Sequence, residues 1–258
     1  MTEENLTDKP AKRNRAIGPL YLLPNLMTLG AICAGMTSMR AAFDGDVVLS
    51  MSLIVLAAVL DGLDGMMARL LSSESAIGAE LDSLADFLNF GVAPGVLLYL
   101  WALQESRSVG WIAVLIFGIC CALRLARYNV MSRAAAPGTP RKTFSGVPAP
   151  GGALLVLMPL VLSRIFPEMK STGLTLFTGF WLCAVGLMMI SRVPTPSLKM
   201  FRISRDKAAY LMVALIAFVA AFFTWPWLVV LATELAYLAL LARFAFRPPA
   251  LETDDTKT

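Results

Sequence analysis

Residues 48–71 read V-L-S-M-S-L-I-V-L-A-A-V-L-D-G-L-D-G-M-M-A-R-L-L. The run is long enough for a membrane-spanning helix, which needs about 20 mostly apolar residues. Yet Asp61, Asp64 and Arg69 stand in its second half. Just beyond it, residues 78–86 read G-A-E-L-D-S-L-A-D and open a second apolar run, adding Asp82 and Asp86. A carboxylate inside a bilayer is costly and is kept where it is used. Four of them in two neighbouring spans mark a functional site, and the simplest use is to hold divalent cations.

The rest of the chain agrees with a membrane setting. Of 258 residues, 57% are hydrophobic and 16% charged, with a mean hydropathy of +0.69; soluble domains are about a quarter charged. The expected fold is all-α, a polytopic helical bundle. The net charge of +4 falls mainly in loops between apolar runs. It therefore reads as topology and contact with anionic membrane lipids rather than as a nucleic-acid partner. The chain has no histidine, which excludes Ser-His-Asp triads, histidine metal sites and histidine bases. Cys33, Cys120, Cys121 and Cys183 all lie in apolar runs, without the spacing of a zinc site or a disulfide framework. No cleavable signal is expected, because Lys9 to Arg15 leads into a full-length span.

Apolar runs fall at roughly 24–42, 48–71, 78–102, 110–132, 148–166, 173–191, 208–224 and 226–244, giving about eight transmembrane helices. Residues 16–23, with Gly18 and Pro19, read as an N-terminal interfacial segment. The expected organisation is a polar cytoplasmic tail over 1–15, one integral membrane domain over 16–246, and a polar cytoplasmic tail over 247–258. With the N-terminus inside, fifteen of the 22 lysines and arginines lie on the inner side. Four (Arg40, Arg107, Arg164 and Lys170) lie on the outer side. That bias sets both termini in the cytoplasm.

Asp61 and Asp64 are three residues apart and Asp82 and Asp86 four apart, so each pair shares a helix face. The turn 71–77 between the helices lies on the cytoplasmic side, and two antiparallel helices can aim all four carboxylates at one point. Hard oxygen ligands suit Mg²⁺ or Mn²⁺, and four carboxylates can hold two ions around a diphosphate. Gly65, Ala68 and Gly78 leave room for a bulky group against the helices, or serve as helix-packing residues. Arg69 suits a phosphate by paired hydrogen bonds, or anchors the inner end of its span. A cation- or proton-coupled transporter is the competing use of such acids.

The pattern Asp61-x-x-Asp64-Gly65-x-x-Ala68-Arg69, then Gly78-x-x-x-Asp82-x-x-x-Asp86, resembles the complete signature of the CDP-alcohol phosphatidyltransferases. The resemblance implies transfer of a phosphatidyl group from a CDP-linked lipid to an alcohol, with release of CMP. It implies that Asp61, Asp64 and Asp82 bind the metals, and that Asp86 contributes to the metal site and acts as general base. Gly65, Ala68, Arg69 and Gly78 would line the CDP-lipid pocket. Flanking segments, P-N-L-M-T-L-G at 24–30, N-F-G-V-A-P at 89–94, R-L-A-R-Y-N at 124–129 and F-S-G-V-P-A-P at 144–150, resemble those of the bacterial membrane-bound phosphatidylserine synthases. That branch implies CDP-diacylglycerol and L-serine as substrates, a homodimer, and a site facing the cytoplasm from the bacterial inner membrane. Branches using glycerol phosphate, inositol phosphate or choline keep the same aspartates. Asn89, one turn past Asp86, is placed to hydrogen-bond the acceptor or a neighbouring helix. Arg124 and Arg127 suit the serine carboxylate or the lipid phosphate, or else reach the inner headgroups.

Overall fold

In the computed structural model the described residues are 22–71, 73, 75–134, 144–169, 172–191, 194–195, 220–221 and 224–245. They are almost wholly helical, as the hydropathy pattern requires, because a bilayer leaves backbone groups only internal partners. The elements are α1 (Leu23–Phe43), α2 (Val47–Leu70), α3 (Ala76–Asp86), α4 (Ala93–Leu98), α5 (Arg107–Ala134), α6 (Ala149–Val156), α7 (Met158–Ile165), α8 (Thr172–Ile190) and α9 (Pro226–Ala245). A two-residue antiparallel pairing of β1 (Phe144–Ser145) with β2 (Pro194–Thr195) is the one departure from all-α among them.

Among the described residues, five helical stretches are long and apolar enough to cross a membrane: Leu23–Phe43, Val47–Leu70, Ala76–Met131, Gly173–Ile190 and Pro226–Phe244. The third holds 56 residues, about 84 Å of helix at 1.5 Å per residue, where one crossing takes about 30 Å. It doubles back at a 3₁₀ turn, Gln104–Ser106, followed by Arg107 at φ 41°. Ala149–Ile165 is a shorter apolar helix, broken at Leu157 where the expected span 148–166 was continuous. The expected tails, most of the interfacial segment 16–23 and most of the expected span 208–224 lie outside the described residues, and Leu23 already belongs to α1. The count of eight thus stays an expectation.

α1 and α2 form a hairpin. Asp44, Gly45 and Asp46 make the turn, with Gly45 in the left-handed region at φ 77° and the Asp46 side chain accepting from Leu49 N at 3.0 Å to cap α2. The α1 face turned inward is made of small residues, among them Ala31, Ala34, Gly35, Ser38 and Ala41, which let the two backbones approach closely. Ser38 Oγ donates to Ser50 O at 2.9 Å across that seam.

The α3–α4 rod is not a regular helix. Two π-helical segments, Phe87–Val92 and Tyr99–Leu103, flank α4; Pro94 supplies no N–H within it. The first begins immediately after Asp86, and π segments of this kind often mark functional positions. The α6–α7 break has a local repair. Pro159 cannot donate to Leu155 O, and Trp181 Nε1 of α8 donates to that carbonyl instead, at 2.7 Å. The core gathers Phe90, Leu97, Leu98, Phe117, Leu155, Leu160, Leu182 and Met189. Large side chains such as Leu26, Ile119, Leu123, Leu176 and Phe180 point outward, the arrangement expected where the surroundings are hydrocarbon.

Candidate active site

The α2–α3 turn folds the two acidic helix faces onto each other. Ser75 caps α3, its Oγ accepting from Gly78 N at 2.9 Å. One carboxylate oxygen from each of Asp61, Asp64 and Asp82 lies within 4.8 Å of the others. Asp64 is buried. Asp86 stands outside this group of three, one turn further along α3, where Asp61, Asp82 and Arg124 are its charged neighbours. Its Oδ1 is buried with no hydrogen-bond partner. None of the four acids forms a salt bridge with another described residue. Carboxylates gathered at such distances repel one another, and a cation held between them would offset that repulsion. The all-oxygen donor set and the orphaned Asp86 Oδ1 fit a divalent ion of the Mg²⁺ or Mn²⁺ kind.

A cleft of about 190 Å³ opens beside these acids. α2 lines it with Asp64, Gly65 and Ala68, the turn with Ser73 and Ser75, and α3 with Gly78, Ala79 and Asp82. The third wall comes from α1, as Pro24, Asn25 and Thr28. Thr28, itself buried, donates its hydroxyl to Asp64 Oδ2. A Cβ added at Gly78 would come within 2.9 Å of Asn25 Oδ1 and 3.0 Å of Ser75 Oγ, so those two side chains would have to move to admit it. Around Gly65 nothing lies within 4 Å of such a Cβ, which leaves that wall open to a ligand.

The remaining expected residues divide. Arg69 is exposed and lies back along α2, its Nε donating to Gly65 O at 2.8 Å, and it does not line the cleft. Asn89 is 1% exposed with both amide atoms unpartnered, and it packs against Gly35 of α1 rather than facing the cleft. Arg124 turns inward and acts electrostatically on Asp86 and Tyr237. Arg127 is drawn elsewhere: its Nη1 donates to Ile190 O at 2.9 Å, tying α5 to the C-terminal end of α8. Residue-by-residue reading missed the α1 wall. It also missed Asn129, whose Nδ2 donates to Ser83 Oγ at 2.9 Å and holds α3 against α5. The sole sequence signal for either was the P-N-L-M-T segment and the R-Y-N segment in which they stand.

A family model described as CDP-alcohol phosphatidyltransferase matches residues 21–193, and these contain every group of the cleft and the acidic cluster. The chain belongs to the CDP-alcohol phosphatidyltransferase family. Among its relatives, a CDP-diacylglycerol–serine O-phosphatidyltransferase of Mycobacterium leprae is 41% identical over 234 residues, covering 90% of this chain and 77% of the relative. A protein of the same name from Helicobacter pylori is 37% identical over 183 residues, 71% of this chain and 75% of its own. One from Bacillus subtilis is 31% identical over 178 residues, 69% of this chain and 91% of its own. Membership makes the chain a membrane-embedded transferase of a family that generally requires a divalent metal, and the acidic cluster could hold one.

Proposed function

We propose that the protein transfers the phosphatidyl group of CDP-diacylglycerol to the hydroxyl of L-serine, giving phosphatidylserine and CMP, at the inner face of the bacterial cytoplasmic membrane. The observation that carries the reading is the convergence of Asp61, Asp64 and Asp82 beside a cleft floored by Gly65, Ala68 and Gly78, in a chain similar to serine-using relatives over most of its length.

Asp61, Asp64 and Asp82, with Asp86, would hold one or two Mg²⁺ or Mn²⁺ ions. When bound, the metal neutralises diphosphate charge and makes CMP a better leaving group. The protein's own residues do the rest. Thr28 fixes the orientation of Asp64. Gly65 lets the nucleotide diphosphate approach the α2 backbone, and Arg69 would have to release Gly65 O to meet its phosphates. Asp86, with one oxygen unengaged, accepts the proton of the serine hydroxyl as that oxygen bonds to the phosphorus bearing diacylglycerol. The bond from phosphorus to the CMP oxygen breaks in the same displacement. A positioned base of this kind typically contributes about 10²–10⁴-fold. Direct displacement suits a chain with no histidine, whose Cys121, near Asp86, is fully buried. The acyl chains stay in hydrocarbon throughout, and a homodimer is the expected assembly.

The test is reconstitution. Purified protein given CDP-diacylglycerol, labelled serine and Mg²⁺ or Mn²⁺ is expected to form phosphatidylserine and CMP in equal amounts. Chelation with EDTA abolishes turnover and metal restores it. Asp61→Asn and Asp86→Asn each abolish turnover while the protein stays folded. Glycerol 3-phosphate, inositol phosphate and choline serve as competing acceptors. Preference for any of them over serine, or full activity in both variants, defeats the assignment.

A further inference from the structure

α9 carries a carboxylic acid at the middle of the face it turns toward the bundle. Trp227, Val230, Leu231, Tyr237, Leu238 and Leu241 are the α9 side chains packed with the core, a stripe at helical spacing. Glu234 stands inside that stripe and is 4% exposed. Both of its carboxylate oxygens are buried without a hydrogen-bond partner, and so is the hydroxyl of Tyr237, one turn on. A leucine would fill this position without the penalty of burying an unpaired acid. An acid buried there with both oxygens unpaired is free to take a polar ligand.

Its surroundings say which ligand. The Tyr237 hydroxyl reaches α6 at Gly151, where a Cβ would lie 2.9 Å from it. Arg124 is near enough to act on both Tyr237 and Asp86. Asp86, Arg124 and Tyr237 thus neighbour one another, and Glu234 stands one turn from Tyr237 on α9, so that acid, guanidinium, hydroxyl and acid lead from the acidic cluster to α9. A small zwitterion carrying a hydroxyl matches that order. Moreover α9 lies outside residues 21–193, the part matched by the family model.

We propose that Glu234 and Tyr237, together with Arg124, form the acceptor-selecting end of the site, with Glu234 receiving the ammonium group of an amino-alcohol acceptor. This deepens the serine reading and rests on it. The test compares serine with 3-hydroxypropionate, which keeps the hydroxyl and carboxylate but lacks the ammonium, using the full-length protein with CDP-diacylglycerol. Glu234→Gln raises KM for serine by about ten-fold or more, as loss of a charge-assisted hydrogen bond does. It leaves KM for CDP-diacylglycerol unchanged and shrinks the preference for serine over 3-hydroxypropionate by the same factor. Tyr237→Phe moves the same ratio in the same direction by less, and decides the matter alone should Glu234→Gln fail to fold. An unchanged preference, or a loss shared equally by the two acceptors, overturns the proposal. A wild-type protein that ignores serine but uses another alcohol overturns the serine reading with it, and that failure shows before any variant is made.

Discussion

Thr28 and Asp64 meet across the seam between α1 and α2, and the hydroxyl that closes this seam also aims one oxygen of the acid. A partner that orients a metal ligand is typically worth about 10–100-fold in metal affinity. Thr28→Val, which keeps the shape and removes the hydroxyl, is therefore expected to raise the Mg²⁺ concentration for half-maximal activity about ten-fold or more. A metal titration of CMP release measures it, and an unchanged midpoint removes Thr28 from the site. Gly78 makes the complementary case by what it lacks. With Asn25 Oδ1 and Ser75 Oγ so close to where a Cβ would stand, Gly78→Ala displaces these two side chains, both of which line the cleft. The expected outcome is a loss of at least about ten-fold in kcat/KM for CDP-diacylglycerol, with helical content unchanged by circular dichroism.

At the scale of elements, the α6–α7 break depends on one indole. Trp181→Phe keeps the ring packing but orphans Leu155 O, a buried carbonyl whose ordinary donor is replaced by Pro159. Leaving such a group unpaired costs about 1–3 kcal/mol. Thermal unfolding should register that loss, while CMP release per folded molecule stays at the wild-type value. This repair shows where the sequence was readable and where it was not. Pro94 and Pro159 were visible, but the positions of the π segments and the rescue by a tryptophan from α8 depend on contacts far along the chain. The same division holds in the site. Asp61 with Asp64, and Asp82 with Asp86, could be paired because helical spacing alone puts each pair on one face. The α1 wall of the cleft, and the separation of Arg124 from Arg127, could not. Thr28 reaches Asp64 over 36 residues and Arg127 reaches Ile190 over 63, and no local period reports such contacts.

For the whole molecule the question is which way the bundle faces. The Ala76–Met131 stretch crosses, turns at Arg107 and returns, so its first residue and its turn belong on opposite faces. In a variant stripped of its own cysteines, Ala76→Cys should react with a membrane-impermeant maleimide only from the cytoplasmic side, and Glu105→Cys only from the other. Labelling of both from one side would reject the doubled-back crossing and the inward-facing cleft together. The order of parts along the chain carries a further consequence. Every cleft wall, and the three converging acids, lie between Pro24 and Asp82, while α9 follows much later. Loop closure among segments so near in sequence is cheap, and chains fold from the N-terminus as they are made. The nascent polypeptide thus holds every segment that walls the cleft while the ribosome is still far from codon 234.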